Sequence, residues 1–303
     1  LVDRFIEICS CIKLKNSCVL DSSVIEKERQ ITIKAHCLTL TYKYKSIVYT
    51  LNIIDTPGHS DFIFEVYNKL FACDIAILLV DATRGIEAQT LAVYDIMKKC
   101  KISVIPVLNK IDLPHIDLES RISEMYIIDN NFIKDTIITI SAKTGQGVEN
   151  LLQKIVSIEY CNDFFINNEK NSFVGTIIGR QFEDHIGVSL FILVNVGSVS
   201  KNDLLLYKYN KSFLKFRVVK IGINTPNKVY KEDLYTGEIG FLVLNEKNVD
   251  IFQIGSCLVK TQGNYIQIDK NICIQNEKKN LQHFIFSEIF PVFKEDYNLL
   301  KSS

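Results

Sequence analysis

Apolar positions change their period about halfway along this chain, and the change divides it in two. Ile31, Ile33 and Ala35, then Leu38, Leu40 and Tyr42, alternate as in a half-buried strand with a slip between them. Ser46–Ile54 reads as a second strand, joined through the polar Lys43–Lys45. Over Asp61–Ala72 the residues Phe62, Val66 and Leu70 recur at helical intervals. Ile75–Val80 and Ile102–Leu108 are continuous apolar runs, as in parallel strands covered on both faces. Further helices are predicted over Glu87–Lys99, Leu118–Ile128 and Val148–Ile158, with a strand at Thr136–Ile140. Lys98 and Lys99 end the first of these with the charge that a helix C-terminus favours. Strands and helices alternating at this spacing predict an α/β fold with a mostly parallel sheet and right-handed crossovers.

After a polar, Asn-rich linker at Tyr160–Ser172, only strand patterns remain: Val174–Arg180, Val188–Val194, Leu204–Tyr209, Leu214–Ile221, Ile239–Leu244 and Ser256–Val259. Gly-containing turns separate several of them, which predicts a small β-barrel. Gln262–Asn280 is polar again, and Phe284–Val292 with Asp296–Leu300 reads as the strand and helix that open a third, α+β domain. At the other end, Leu1–Ile8 has the pattern of an amphipathic helix. The expected domains are therefore residues 1–160, 172–262 and 281–303.

Composition narrows the function. Of 303 residues 47% are hydrophobic, enough for two buried cores. Lys and Arg number 35 and Asp and Glu also 35, which argues against coating nucleic acid or membrane by overall positive charge. The apolar runs fall far short of the ~20 residues of a membrane-spanning helix. Nine cysteines are scattered without a C-x-x-C pair or metal-ligand spacing to the five histidines, the pattern of free thiols. His36 is expected to face solvent, His115 to lie in a loop, and Glu183-Asp184 to form a solvated turn.

Four short stretches carry the chemistry. Asp55-Thr56-Pro57-Gly58-His59 ends a strand, where ligands of α/β sheets bind. A carboxylate there can hold a Mg²⁺-bound water, and Gly58 lets a backbone N–H approach a terminal phosphate. Asn109-Lys110-Ile111-Asp112 follows the next apolar strand but one. Asp112 can accept from guanine N1–H and from its exocyclic amine, a pairing adenine cannot offer. Lys110 can lie across the base and Asn109 can brace neighbouring loops. Ser141-Ala142-Lys143 follows Thr136–Ile140, and its small residue lets a backbone N–H reach the guanine carbonyl oxygen. Thr32, within Glu28–Ile33, is a candidate Mg²⁺ ligand. The spacing from Asp55 to Asn109 to Ser141 suits successive βα units. Absent from the sequence is a phosphate cradle, G-x-x-x-x-G-K-[ST]: the first glycine is Gly58, and no Gly-Lys-Ser/Thr occurs. The chain reads as starting with the helix that should follow such a loop, as a fragment would.

Taken together these motifs resemble the translational GTPases, and among them the elongation factor 4 (LepA) family, over essentially the whole chain. Leu20–Ser22 with Glu26–Lys34 is similar to that family's switch I, Asp55–Phe62 to its switch II, Asp81–Leu91 to the segment that follows, and Val104–Pro114 to its base-recognition loop. Gly222–Val229 and Leu234–Val243 resemble its barrel more than that of elongation factors G or Tu, and Phe284–Tyr297 resembles the opening of its third domain. The resemblance implies a P-loop-type GTPase domain, here without its phosphate loop, a translation-factor β-barrel and the start of domain III. It implies GTP/GDP and Mg²⁺ as ligands, and ribosome-stimulated hydrolysis associated with back-translocation and fidelity. The implied partners are the ribosome, and tRNA through later domains. The implied state is a monomer in the cytoplasm or against the inner face of the membrane, with an organellar location open.

Residue by residue, His59 matches the catalytic histidine, Ile31 one wing of its apolar gate, and Thr32 and Asp55 the Mg²⁺ positions. Thr56, Pro57 and Gly58 complete the switch II match, while Asn109, Lys110, Ile111, Asp112, Ser141, Ala142 and Lys143 match the guanine site. Three departures stand out: the missing phosphate loop, Gln30 where the family has Gly, and the absence of the later domains. A non-hydrolysing ribosome-binding module of the same fold, and another translational GTPase such as elongation factor G, remain as alternatives.

Overall fold

The computed structural model describes residues 1–10, 32, 35–158, 172–183, 187–210, 212–225 and 227–260. The N-terminal half opens with helix α1 (Val2–Ser10) and an antiparallel hairpin of β1 (His36–Tyr44) and β2 (Ile47–Asp55). The hairpin turns at Lys45-Ser46, with φ of 47° and 66°. Both residues take the left-handed conformation of a tight two-residue turn. Glycine or asparagine usually occupies such a turn, so the sequence placed the connection slightly early, at Lys43–Lys45. Ile31 and Ile33 lie outside the described residues. His36, expected in solvent, is half-buried and pairs opposite Asp55.

A short 3₁₀ turn at Ser60–Phe62 leads into α2 (Ile63–Leu70), followed by β3 (Ile75–Asp81), α3 (Ala88–Lys99), β4 (Ser103–Asn109), α4 (Leu118–Ile128), β5 (Ile138–Thr139) and α5 (Val148–Ser157). Strands β3, β4 and β5 are parallel, with Asp81 opposite Asn109 and Leu108 opposite Thr139. Apolar side chains alternate between two faces. Ala76, Leu78 and Val80 meet Val66 of α2, Tyr94 and Met97 of α3 and Met125 of α4. Ile105 and Val107 meet Phe5 and Ile6 of α1 and Leu151 and Leu152 of α5. Burying one such side chain is worth about 1.5–3 kcal/mol. This is the doubly covered sheet expected from the continuous apolar runs.

No hydrogen-bonded ladder joins the β1–β2 hairpin to the β3–β4–β5 sheet among the described residues. Even so, Leu51 and Ile53 of β2 and Ile75 and Ile77 of β3 belong to one apolar cluster. Leu79, two residues beyond Ile77 on the same strand, is 44% exposed. Strands β2 and β3 thus share a core without pairing.

The second half is all β: β6 (Phe173–Glu183), β7 (Gly187–Ser200), β8 (Leu204–Tyr209), β9 (Ser212–Thr225), β10 (Asn227–Tyr230), β11 (Asp233–Tyr235), β12 (Ile239–Leu244) and β13 (Cys257–Lys260). Pairing runs β9-β12-β7-β6-β13-β8, and the β8–β9 ladder closes the ring into a six-stranded barrel. Its interior holds Phe173, Leu190, Tyr207, Phe216, Phe252 and Leu258, among others. The short strands β10 and β11 were not anticipated. They pair with β9 and β7; β10 has no buried residue to give it a pattern, and the three-residue β11 sends only Leu234 into the core. The linker expected at 160–172 and the domain expected at 281–303 lie outside the described residues, apart from Ser172.

Candidate functional site

The C-terminal ends of β4 and β5 bring one group of predicted residues together. Asn109 is the last residue of β4, and its Oδ1 accepts the Ala142 N–H at 3.0 Å. Ser141 Oγ donates to Asp112 Oδ1 at 2.6 Å and accepts the Thr144 N–H at 3.1 Å. Ser141 itself is fully buried. The hydrogen bond from Ser141 holds the Asp112 carboxyl below the usual carboxylate range, with Lys143 and Lys110 adding to the effect. Asp112 is exposed and ionised, with Oδ2 outside that hydrogen bond. The two loops are locked together by side chains, and they present a fixed acceptor to whatever enters.

Backbone geometry fits that purpose. Lys110 adopts φ of 68°, a left-handed conformation that costs a non-glycine residue energy and turns the chain sharply after Asn109. The Ile111 N–H then reaches the Ile140 carbonyl at 3.3 Å, which ties this loop to β5 a second time. At Gly147, φ is 72° and a Cβ would stand 2.3 Å from the Thr139 carbonyl oxygen, so only glycine lets α5 start so close to β5.

Lys110 makes a contact that the sequence did not anticipate. Its Nζ meets Asp81 Oδ2 at 2.6 Å, while Asp81 Oδ1 accepts from the Thr83 N–H at 2.9 Å and from its hydroxyl at 2.6 Å. Burial works against ionising Asp81, but Lys110 and Thr83 together outweigh it and bring the carboxyl from 3.8 to about 2. Asp81 was read only as part of a motif. Its position directly across the ladder from Asn109 is what brings it to the site. Arg121 of α4 braces the same loop, donating to the Ala82 carbonyl at 3.0 Å and pairing with Glu124 at 2.5 Å. Gly85 makes room for that pair, since a Cβ there would lie 2.4 Å from both side chains.

The switch II residues stand apart from this group. Asp55 closes β2 half-buried, Thr56 is half-buried, Pro57 buried, and Gly58 and His59 exposed. A Cβ on Gly58 would meet nothing within 4 Å, which leaves its backbone open to a ligand. His59 Nδ1 accepts the Asp61 N–H at 3.2 Å, and its side chain is 47% exposed. Behind it lies a cavity of about 30 Å³ between Pro57–His59, α2 and Gln89, Ala92 and Val93 of α3. Thr32 is half-buried, and its flanking residues lie outside the described ones. Among the described residues no three His, Cys, Asp or Glu side chains gather as a metal cage. One hydroxyl and one carboxylate, Thr32 and Asp55, suit Mg²⁺ in kind, since that ion takes few protein ligands and completes its shell with phosphate oxygens and water. Burial pushes two of the thiols up, Cys37 to about 11 and Cys73 to about 12.

Strand ends that carry Asp-x-x-Gly after β2, Asn-Lys-x-Asp after β4 and Ser-Ala-Lys after β5 have the chemistry of a guanine-nucleotide site, and comparison with known proteins agrees on the class. Residues 1–160 match the family model described as the elongation factor Tu GTP binding domain, and the chain belongs to that family of GTPases. Members of that family bind GTP and GDP, typically with Mg²⁺.

Solved structures share the fold beyond the matched region. A bacterial selenocysteine-specific elongation factor, EF-Sec, is 23% identical with a TM-score of 0.64, over 85% of this chain and 42% of that one. The elongation factor SelB of Methanococcus maripaludis, in complex with the GTP analogue GppNHp, is 22% identical with a TM-score of 0.58, over 76% and 50%. GDP-bound aIF5B of Aeropyrum pernix is 18% identical with a TM-score of 0.63, over 86% and 51%. The chain thus spans about half of each of these structures or less.

Proposed function

We propose that the chain belongs to a ribosome-dependent translational GTPase of the elongation factor 4 (LepA) type. The observation that carries the GTPase reading is the Asp112–Ser141 and Asn109–Ala142 lock, which holds a carboxylate where it can read guanine. The finer assignment rests on the switch and barrel motifs quoted above. In this reading Asp112 accepts from guanine N1–H and its amine, and Lys143 offers an N–H to the base's carbonyl oxygen. Lys110 exchanges Asp81 for the face of the base. Gly58 lets its N–H reach the outermost phosphate, and Thr32 and Asp55 hold Mg²⁺, which would neutralise phosphate charge. His59, exposed in this state, turns inward on the ribosome and orients the attacking water. The phosphate loop needed for hydrolysis would come from a strand seated between β2 and β3. The protein works in the cytoplasm or against the inner face of the membrane.

The test is GTP hydrolysis by the full-length protein with and without ribosomes, alongside the position of the ribosome on its messenger. Strong stimulation with backward movement by one codon is the expected result. Forward movement would reassign the protein to an elongation factor G type. Ribosome binding without hydrolysis would make it a binding module.

A further inference from the structure

We infer that Arg4 of α1 is a positioning residue for base recognition, acting by clamping the Ser141–Lys143 loop; this rests on the guanine-binding reading above. Arg4 Nε donates to the Ala142 carbonyl at 2.9 Å, and its Nη2 donates to the carbonyl of Lys143. Nη1 pairs with Glu7 Oε2 at 2.5 Å, one helical turn along the same face. A guanidinium has donors fixed in one plane, so two consecutive carbonyls and a carboxylate hold it in a single orientation. Neither the helix nor the loop needs this contact to satisfy its own ladder. The loop is already closed by Ser141 N–H on Gln146 and Gly145 N–H on Ser141. What the clamp adds is the direction of two peptide planes.

A trans peptide points its C=O and its N–H in opposite directions. Drawing the Ala142 carbonyl toward α1 therefore turns the Lys143 N–H away from α1. Asn109 meanwhile holds the Ala142 N–H from the other loop. The loop is gripped from both sides: by Asn109 on its N–H side and by Arg4 on its C=O side. Asp112 is held by Ser141 and not by Arg4. Recognition at the purine 2-position and N1 thus rests on Asp112 and its Ser141 hydrogen bond, and recognition at the 6-position on the Lys143 N–H that Arg4 orients.

That separation gives the experiment. Affinities of the full-length protein are measured for GDP, for inosine diphosphate, which lacks the 2-amino group, and for 2,6-diaminopurine riboside diphosphate, whose 6-position carries an amine. Arg4→Ala should lower the GDP preference over the 6-amino analogue by about tenfold while leaving the GDP preference over inosine diphosphate within about twofold. Glu7→Gln, which keeps the arginine and loosens its anchor, should shift the same ratio in the same direction by less. Arg4→Lys, with one donor centre in place of the fork, should recover only part of it. A loss of stability alone would weaken all three nucleotides together and leave both ratios unmoved, whereas equal shifts in both ratios would mean a general disturbance of the base site and overturn the clamp. Unchanged ratios in Arg4→Ala and Glu7→Gln also overturn it. Failure of the wild-type protein to prefer GDP over ADP would instead overturn the guanine reading, and the inference with it.

Discussion

Lys69 of α2 donates a hydrogen bond from its ammonium to the backbone carbonyl of Ile178 in β6 of the barrel. Its cause is a defect in the barrel. The β6–β7 register shifts between Ile177, opposite Ile192, and Gly179, opposite Phe191, so Ile178 has no partner in the ladder. A bulged carbonyl released from its sheet needs a donor, and Lys69 supplies one from the other half of the chain. Gly179 leaves space for it, since a Cβ there would stand 3.2 Å from Nζ. Lys69 is only 4% exposed and has Glu65 at 3.7 Å as its counter-charge. The helix that follows switch II is therefore fastened to the second domain by a buried charge.

Lys69→Met keeps the apolar stem but strands the Ile178 carbonyl and leaves Glu65 unpaired. The expected cost is about 1–3 kcal/mol. Calorimetry should show a lower melting temperature and a separation of the two halves into distinct transitions, whereas a single unshifted transition would mean the link carries no stability.

Asp112→Asn replaces an acceptor with a group that can also donate. Guanine offers two donors to that position, so GDP affinity should fall about 10- to 100-fold. Xanthosine diphosphate, with a carbonyl in place of the 2-amino group, should gain relative to GDP. Titration with both nucleotides checks this, and a uniform loss for both would show that the Asn disturbs the Ser141 contact instead of changing the code.

Under the proposed function, His59→Ala should lower ribosome-stimulated hydrolysis about a hundredfold or more, the usual size of a lost general base or water-positioning group. Nucleotide binding should change little, because His59 contacts Asp61 and Phe62 and no residue of the base-reading loops. Single-turnover hydrolysis on ribosomes, set beside equilibrium binding of GDP, separates the two effects.

The Asp81–Lys110 bridge gives a pH dependence with a definite sign. The Asp81 carboxyl is lowered in the fold from 3.8 to about 2, so folding favours its ionised form. Its contribution is complete above 3.8 and disappears as pH falls through about 2. Lys110 is half exposed, which limits the bridge to about 1 kcal/mol or less. Asp81→Asn should therefore be less stable than wild type in urea at pH 6, and the difference should vanish by the acid end of that window.

Much of this was legible in the sequence because the central strands are buried on both faces. Ile75–Val80 and Ile102–Leu108 became β3 and β4 within a residue at each end, and Leu118–Ile128 became α4 with Asp117 capping its N–H groups, as an aspartate before a helix should. Leu204–Tyr209 and Ile239–Leu244 likewise reappear unchanged as β8 and β12. The pairing of Asn109 with Ala142 and of Asp112 with Ser141 follows from strand ends that had already been set side by side. Illegible were features with no periodic signature. The Lys45-Ser46 turn uses residues that rarely adopt positive φ, β10 is exposed throughout and β11 is too short to show a period, and the arginine contacts join residues far apart in sequence. Asp81 was missed as a site residue because its partner, Lys110, already had a role.

The β1–β2 hairpin touches the barrel as well as the sheet. Asn52 donates to the Gly237 carbonyl at 3.0 Å, and Asn224 donates to the Cys37 carbonyl at 3.3 Å. Asp55, at the hairpin's end, leads straight into the segment that holds His59. Tilting the hairpin must either snap those two amide contacts or swing the barrel along with it. The second domain is thereby tied, through the hairpin, to the segment that carries the histidine.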